Sequence, residues 1–339
     1  MEYRTLGRTG IQVSTQCLGA MMFGLWGNRD HDECARIVHA ALDAGVNFVD
    51  TADVYSNGES EEIVGKALLG RRDDVVLATK VHGTMGSDPN RQGNSRRWIR
   101  MEVENSLRRL QTDWIDLYQI HRPDPSLDVD ETLGVLTDLV REGKVRAIGS
   151  STFPAEQIVE AQWVAERRGR ERFRCEQPPY SILARGIERA VLPTCARYGM
   201  GVIVWSPLNG GWLTGKYKRD QAWPEGSRGA MGMFSGPEKR HNQRKFEAVE
   251  QLEKVAFDAG VSMTHLALAW TLEHPAVTST IIGPKTMEQL TDLLAADGVH
   301  LDAGVLDRID EVVAPGVTIV GRDEGYEPPE LEAGARRRR

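Results

Sequence analysis

Eight short apolar runs, each closed by a turn signal and followed by an amphipathic stretch, recur along this 339-residue chain. They are TQCLGA (15–20), VNFVD (46–50), VVLATK (75–80), IDLYQIH (115–121), VRAIGSS (145–151), RFRCEQ (172–177), GVIVWS (201–206) and TSTIIG (278–283). Near-continuous apolar runs belong to strands covered on both faces, as parallel strands are when crossover helices pack on them. Between the runs, apolar residues recur at i, i+3 and i+4. In DECARIVHAALDAG, Ile37, Val38, Ala41 and Leu42 share one helix face and Gly45 ends it. Eight strand–helix alternations predict an α/β fold with a parallel sheet, and eight is the number that closes a (β/α)₈ TIM barrel of ordinary length. A doubly wound open sheet would carry GxGxxG after its first strand, and CLGAMMFG does not match it.

The opening MEYRTLGRTGIQVS predicts a β-hairpin ahead of the barrel, with Thr9 and Gly10 at its turn. One barrel domain is expected over residues 1–313. Two stretches break the globular texture. Asn209 to Asn242, rich in Gly, Lys and Arg, predicts a long functional loop after strand seven. The tail, 314–339, is expected to be irregular or disordered, with its terminal ARRRR simply solvated.

Charge and cysteine usage narrow the partners. With 42 basic and 49 acidic residues the formal net charge is −7, which offers no electrostatic reason to bind nucleic acid or an anionic membrane. No apolar run reaches the ~18 residues of a spanning helix. Cys17, Cys34, Cys175 and Cys195 form no CxxC pair, and the eight histidines form no HxH or HxxxH pair, so neither disulfides nor a metal site is expected. These features predict a cytoplasmic protein with a small-molecule partner.

In such barrels the reactive groups gather at the C-terminal ends of the strands. The second run ends in Asp50, with Tyr55 on the loop beyond it; the third ends in Lys80 and the fourth in His121. A buried lysine requires an anionic partner, and Asp50 on the neighbouring strand is the natural one. An ammonium beside a phenol favours the phenolate, so Lys80 is expected to lower the pKa of Tyr55 and improve it as a proton donor. His121 can hydrogen-bond the same substrate oxygen, and Asp53 is expected to cap the turn. Later strand ends offer Ser151, Thr152 and Gln177 to orient a carboxamide and Trp205 to stack on a nicotinamide. GPKTMEQL (283–290) leads into a helix start suited to phosphate, with Lys285 favouring the extra phosphate of NADP. MMFGLW (21–26) is expected to line the substrate pocket, with Trp26 against the substrate.

The segments NFVDTADVYSNGESEEIVGKAL, LATK, DLYQIHRPD, IGSST, WSPLNGGWLTGKY and IIGPKTMEQL, in this order and spacing, closely resemble the aldo-keto reductase family. The likeness runs from LGRTGIQVS to about Val313 and is nearest to the bacterial members and the potassium-channel β-subunit branch. It implies NADPH bound without a Rossmann fold and a small aldehyde or ketone as substrate. Carried over position by position, it implies the catalytic set Asp50, Tyr55, Lys80 and His121, with Tyr55 as general acid. It also implies cofactor contacts from Ser151, Thr152, Gln177, Trp205, Ser206, Leu208, Lys216, Gly283, Lys285 and Gln289. Thr152 and Leu293 stand where family members often carry Asn, which weakens the expected hold on the cofactor.

Two rival readings belong to other classes. GGWLTGKY (210–217) nearly spells a phosphate loop, but Tyr217 cannot supply the magnesium hydroxyl. A cofactor-sensing regulatory subunit would keep the barrel and NADPH but act through a partner protein.

Overall fold

The computed structural model describes residues 1–232, 236–331 and 334–335. All eight predicted runs become parallel strands of one closed barrel. They are β3 (Gln16–Gly19), β4 (Phe48–Asp50), β5 (Val76–Val81), β6 (Ile115–Ile120), β7 (Val145–Ser151), β8 (Cys175–Gln177), β9 (Gly201–Val204) and β10 (Ser279–Ile282), with β10 pairing to β3 to close the ring. Crossovers are made by α1 (His31–Asp43), α2 (Glu59–Ala67), α3 (Arg96–Leu110), α4 (Val129–Arg141), α5 (Ala155–Arg168) and α6 (Val191–Tyr198). The simple alternation is exceeded in two places. Two helices, α7 (Arg240–Asp258) and α8 (Met263–Glu273), separate β9 from β10, and two more, α9 (Met287–Leu294) and α10 (Ala303–Val312), follow β10.

Helix starts follow local chemistry. Asp30, Ser95 and Asp128 cap α1, α3 and α4 with side-chain oxygens that accept backbone N–H groups, each cap worth about 1 kcal/mol. Helix α1 buries Ile37, Val38 and Ala41 of the expected face together with Cys34, while Leu42 is half-buried at its edge.

The barrel interior is layered. Cys17, Phe48, Ala78, Leu117, Ala147, Cys175 and Ile203 form an apolar layer toward the N-terminal end. Strand alternation then places the residues two further along, among them Gly19, Asp50, Lys80, Gln119, Gly149 and Gln177, on the same inner face and nearer the C-terminal mouth. The predicted hairpin, β1 (Tyr3–Thr5) with β2 (Gln12–Ser14), adds Leu6 and Val13 to the apolar layer and closes the bottom. Gly7 makes that approach possible. Its φ is +55°, and a Cβ there would lie 2.5 Å from the Gly201 nitrogen.

Residues 209–214 of the long loop form a 3₁₀ turn, and the last residues of the predicted stretch already belong to α7. Between them, Trp212, Tyr217, Trp223 and Phe246 pack as an aromatic cluster, with Trp212 to Phe246 at 4.9 Å and Tyr217 to Trp223 at 5.1 Å between ring centroids. Tyr217, whose side chain defeats the phosphate-loop pattern, donates its hydroxyl to the Gly210 carbonyl and accepts from Gly229 N, folding the loop back on itself.

Beyond α10 the chain turns back across the barrel mouth. Arg185 N donates to the Val317 carbonyl, Ile319 N donates to the Leu183 carbonyl, and Gly186 N donates to Thr318 Oγ1. Asp323 then pairs with the buried Lys245 ammonium of α7 at 2.6 Å. Gly325, at φ +76°, lies flat against Trp205, where a Cβ would come within 2.8 Å of Cζ2. Arg336 to Arg339 lie outside the described residues. Among the described residues no helix is long and apolar enough to cross a membrane.

Candidate active site

The seam after β4 explains why two aspartates and a tyrosine stand together. The β4–β5 ladder continues past its formal end, with Thr51 N donating to the Ala78 carbonyl and Asp53 N to the Lys80 carbonyl. A turn from Ala52 to Tyr55 brings the phenol back over Lys80. Ser56, Asn57 and Gly58 then run left-handed at φ 50°, 58° and 97° before α2 begins. Asn and Gly tolerate that conformation, whereas Ser requires compensation. Ser56 Oγ donates to the Phe23 carbonyl and accepts from Trp26 N, pinning the 21–28 loop to the site. The Trp26 ring accordingly lies 6.0 Å from that of Tyr55.

Lys80 is wholly buried. Its ammonium donates to Asp50 Oδ2 at 2.6 Å, to the Thr51 carbonyl at 2.8 Å and to the Tyr55 hydroxyl at 3.3 Å. Burial pushes the Lys80 pKa down, but Asp50 and Tyr55 outweigh it and hold the ammonium above its ordinary value. Asp50 Oδ1 accepts from Gln177 Nε2 at 2.9 Å and Gln119 Nε2 at 3.3 Å, and Gln177 also donates to Gln119 Oε1. The upper interior layer is therefore one connected polar network, with the charge of Lys80 matched inside it.

His121 follows β6, its N donating to the Val81 carbonyl, and its ring stands edge-on to Tyr55 with centroids 5.7 Å apart. Burial, reinforced by Lys80, Arg122 and His82, holds its pKa well below the ordinary imidazole value, so the ring is neutral near pH 7. The expected lowering of the Tyr55 pKa does not prevail. Burial raises it; Lys80 pulls it back only in part, and the phenol titrates above its ordinary range. The reason is location: the hydroxyl is removed from water along with the lysine, and desolvation disfavours the phenolate more than one paired ammonium favours it.

Asp53 does cap its turn, with Oδ1 accepting from Val54 N at 2.6 Å. It is also fully buried, and Oδ2 has no partner among the described residues. Burial, with Glu61 and Glu102 nearby, raises its pKa well above the usual carboxylate value. Arg109 serves those two glutamates, donating to Glu61 Oε2 at 2.6 Å and to Glu102 Oε1.

The remaining predicted positions divide between the two sides of the mouth. Ser151 Oγ donates to the Gln177 carbonyl, and the Gln177 donors are used within the interior network, leaving its Oε1 as the open acceptor. Thr152 has φ +61°, an unusual conformation for a β-branched residue, and Trp205 Nε1 is buried without a partner among the described residues. Ser206, at φ +60°, starts the turn that contains Leu208 and leads into 209–214, its carbonyl accepting from Asn209 N.

On the other side, Gly283 precedes the start of α9, where Gln289 Oε1 accepts from Lys285 N and so braces the turn. Leu293 is buried, so α9 presents no polar side chain there. Lys216 is held below its ordinary pKa by burial and by Arg228 and Lys285. A Cβ on Gly226 would lie 3.8 Å from Lys285 Nζ, which brings the long loop to the α9 start. Three cations thus converge, none in an ion pair with an acid among the described residues, a donor set that suits the phosphates of a dinucleotide.

Sequence reasoning missed Gln119, Ser56, Arg122 and Arg228. Gln119 was visible as a glutamine inside the apolar run IDLYQIH, two residues before His121. Arg228 had no signal beyond the basic character of its loop.

Fold and site together define a (β/α)₈ barrel with a buried acid, lysine, phenol and imidazole set at its mouth, beside a group of cations without an acid partner among the described residues. The sequence model of the aldo/keto reductase family matches residues 16–314, and the chain belongs to that family. It is an oxidoreductase family that uses nicotinamide cofactors on small carbonyl compounds. Relatives agree over nearly the whole length. An uncharacterized oxidoreductase YrpG of Bacillus subtilis (strain 168) is 40% identical over 98% of this chain and 100% of its own. The aldo-keto reductase YhdN of the same organism is 35% identical over 98% of this chain and 99% of its own. A probable voltage-gated potassium channel subunit beta of Oryza sativa subsp. japonica is 38% identical over 92% of this chain and 97% of its own.

Proposed function

We propose that this protein is an NADPH-dependent carbonyl reductase that converts an aldehyde or ketone to its alcohol, with Tyr55 as general acid. The observation that carries the reading is the Tyr55 hydroxyl 3.3 Å from a fully buried lysine that is itself 2.6 Å from Asp50. The resting phenol keeps its proton near neutral pH, as an ordinary tyrosine does, and burial holds it there more firmly by raising its pKa. As the substrate oxygen takes up negative charge, Tyr55 transfers that proton, and the adjacent Lys80 charge stabilises the phenolate left behind. His121, neutral, donates an N–H to the same oxygen and fixes its approach. Asp50 holds Lys80 in place, and Gln119 and Gln177 hold Asp50.

A bound nicotinamide supplies the hydride. Trp205 offers it a ring face, and Ser151, Thr152 and Gln177 Oε1 serve its carboxamide. Ser206 and Leu208 border the path outward. Lys216, Arg228 and Lys285 neutralise the phosphates, with Gly283 and the turn braced by Gln289 forming the floor. Lys285 at the α9 start supports NADPH over NADH. The described parts of the segment after β9, 209–232 and 236–242, would cover the pyrophosphate, and cofactor release depends on their motion. Protease should therefore nick that segment more slowly with saturating NADPH than without, and equal rates would sink the covering role. Four buried, unbridged cysteines support a reducing cytoplasm as its compartment.

The deciding experiment titrates purified protein with NADPH and, separately, NADH by tryptophan fluorescence, then follows nicotinamide absorbance with a panel of aldehydes. Tight NADPH binding with turnover supports the reading. Binding without turnover on any carbonyl would replace it with a cofactor-sensing subunit, and no binding would end both.

A further inference from the structure

Arg122 follows His121 directly and stands at the same mouth, where its charge helps to keep His121 neutral, yet the chemistry above gives its forked edge no partner. Its Nη1 donates to the His121 carbonyl at 2.8 Å and to Thr152 Oγ1 at 2.9 Å, two fixed acceptors that set the plane of the guanidinium. Its central carbon lies 5.7 Å from the centroid of the Trp205 ring. Nε and Nη2, carrying three further N–H groups, have no partner among the described residues. Arg122 makes no ion pair with an acid there either. It senses the Tyr55 phenol first and then Glu176, a carboxylate already occupied by the Ser150 hydroxyl and by Phe153 N.

A half-buried guanidinium whose forked edge meets no acceptor among the described residues is a ready site for an anion. The cofactor phosphates do not account for it, since Lys216, Arg228 and Lys285 form a separate mutually interacting group. We propose that Arg122 binds a carboxylate on the carbonyl substrate, so that the preferred substrates are aldehydo or keto acids. The proposal rests on the reductase reading and narrows its substrate class. A planar carboxylate matches the guanidinium fork through two parallel hydrogen bonds. A phosphate dianion would call for a second free cation beside Arg122.

The competing account is that Arg122 only holds Thr152 in its strained conformation. That role would not depend on substrate charge. The test compares 3- and 4-carboxybenzaldehyde with their methyl esters, using the holoenzyme. For at least one isomer, wild type should favour the acid over the ester by about 10-fold or more in kcat/KM, chiefly through KM. Arg122→Met should bring that ratio close to one, and Arg122→Lys, which keeps the charge but loses the fork, should restore part of it. Equal use of acid and ester by wild type for both isomers would overturn the proposal. So would an Arg122→Met variant that loses activity on both while keeping the ratio.

Terephthalate binding to the NADP⁺-loaded protein, followed by calorimetry, separates this idea from the one beneath it. If no aldehyde or ester is reduced, the reductase reading fails by itself. Arg122 then stands if Arg122→Met binds terephthalate about 10-fold or more weakly than wild type, and falls if the two bind equally.

Discussion

The two halves of the barrel interior use the same strands and the same alternation to opposite ends. In the lower half, Leu117, Phe48, Ala78 and Ile203 pack under the plug of Leu6 and Val13. Two residues further along three of those strands stand Gln119, Asp50 and Lys80, joined by hydrogen bonds and removed from solvent. Backbone strain divides the same way. Of the six non-glycine residues with positive φ among the described residues, Ser56, Asn57, Thr152, Ser206 and Asn209 lie on loops of the catalytic face, while Gln111 ends α3. The lower half is a packing solution that many sequences could satisfy. The upper half holds groups in states that packing alone would reject: a charged lysine, a neutral imidazole and a left-handed threonine. Stability and chemistry are thus separated by one step of the strand pleat.

Four substitutions would break or sharpen this division. Tyr55→Phe removes only the proton donor, and turnover should fall by ~10²–10⁴ while unfolding stability and NADPH affinity stay close to wild type. Near-normal turnover would require a different acid. Lys80→Met crosses the boundary, because it leaves Asp50 as an uncompensated buried charge. It should cost about 3–5 kcal/mol in denaturant unfolding as well as turnover; retained stability would show that Gln119 and Gln177 suffice to hold Asp50.

Leu117→Ala tests the lower half. A loss of about 2–5 kcal/mol in stability is expected, with kcat per folded molecule preserved, and an equal collapse of kcat would mean that the layers are not separable. The smallest effect concerns Asp53, outside the interior. Its folded pKa is raised, so its stabilising contribution is complete below the unfolded value near ~3.9 and is lost as pH rises through the folded value. Asp53→Asn cannot ionise and escapes that loss. Its stability relative to wild type should therefore rise with pH above about pH 4, measured by urea unfolding across a pH series. A constant difference would place the excess proton elsewhere, for instance on Glu61, whose pKa burial also raises.

How much was legible follows from which interactions are local. Strand runs, the hairpin and the α1 face are patterns of neighbouring residues, and they were read directly. Asp50, Tyr55, Lys80 and His121 were legible because strand ends in a barrel share one mouth, a rule that needs no coordinates. Gln119 escaped because attention to strand ends passes over the residue two places before. Arg122 and Arg228 escaped because an arginine in a loop is ordinarily solvated, and only the surrounding chain shows that these two pair with no acid among the described residues.

The sequence by itself determined the eightfold alternation, the closed parallel barrel it demands, the types of reactive group available and their order around the mouth. Burial periodicity and turn chemistry act over a few residues, so they can be read without a fold. The tertiary structure alone decided the protonation states, with the Tyr55 pKa raised despite its lysine and the His121 pKa lowered. It alone decided the polar network through Gln119, the return of the tail across Trp205 and the free edge of Arg122. Each of these depends on how much water remains around a group and on which partners arrive from distant parts of the chain, and both quantities exist only once the barrel has closed.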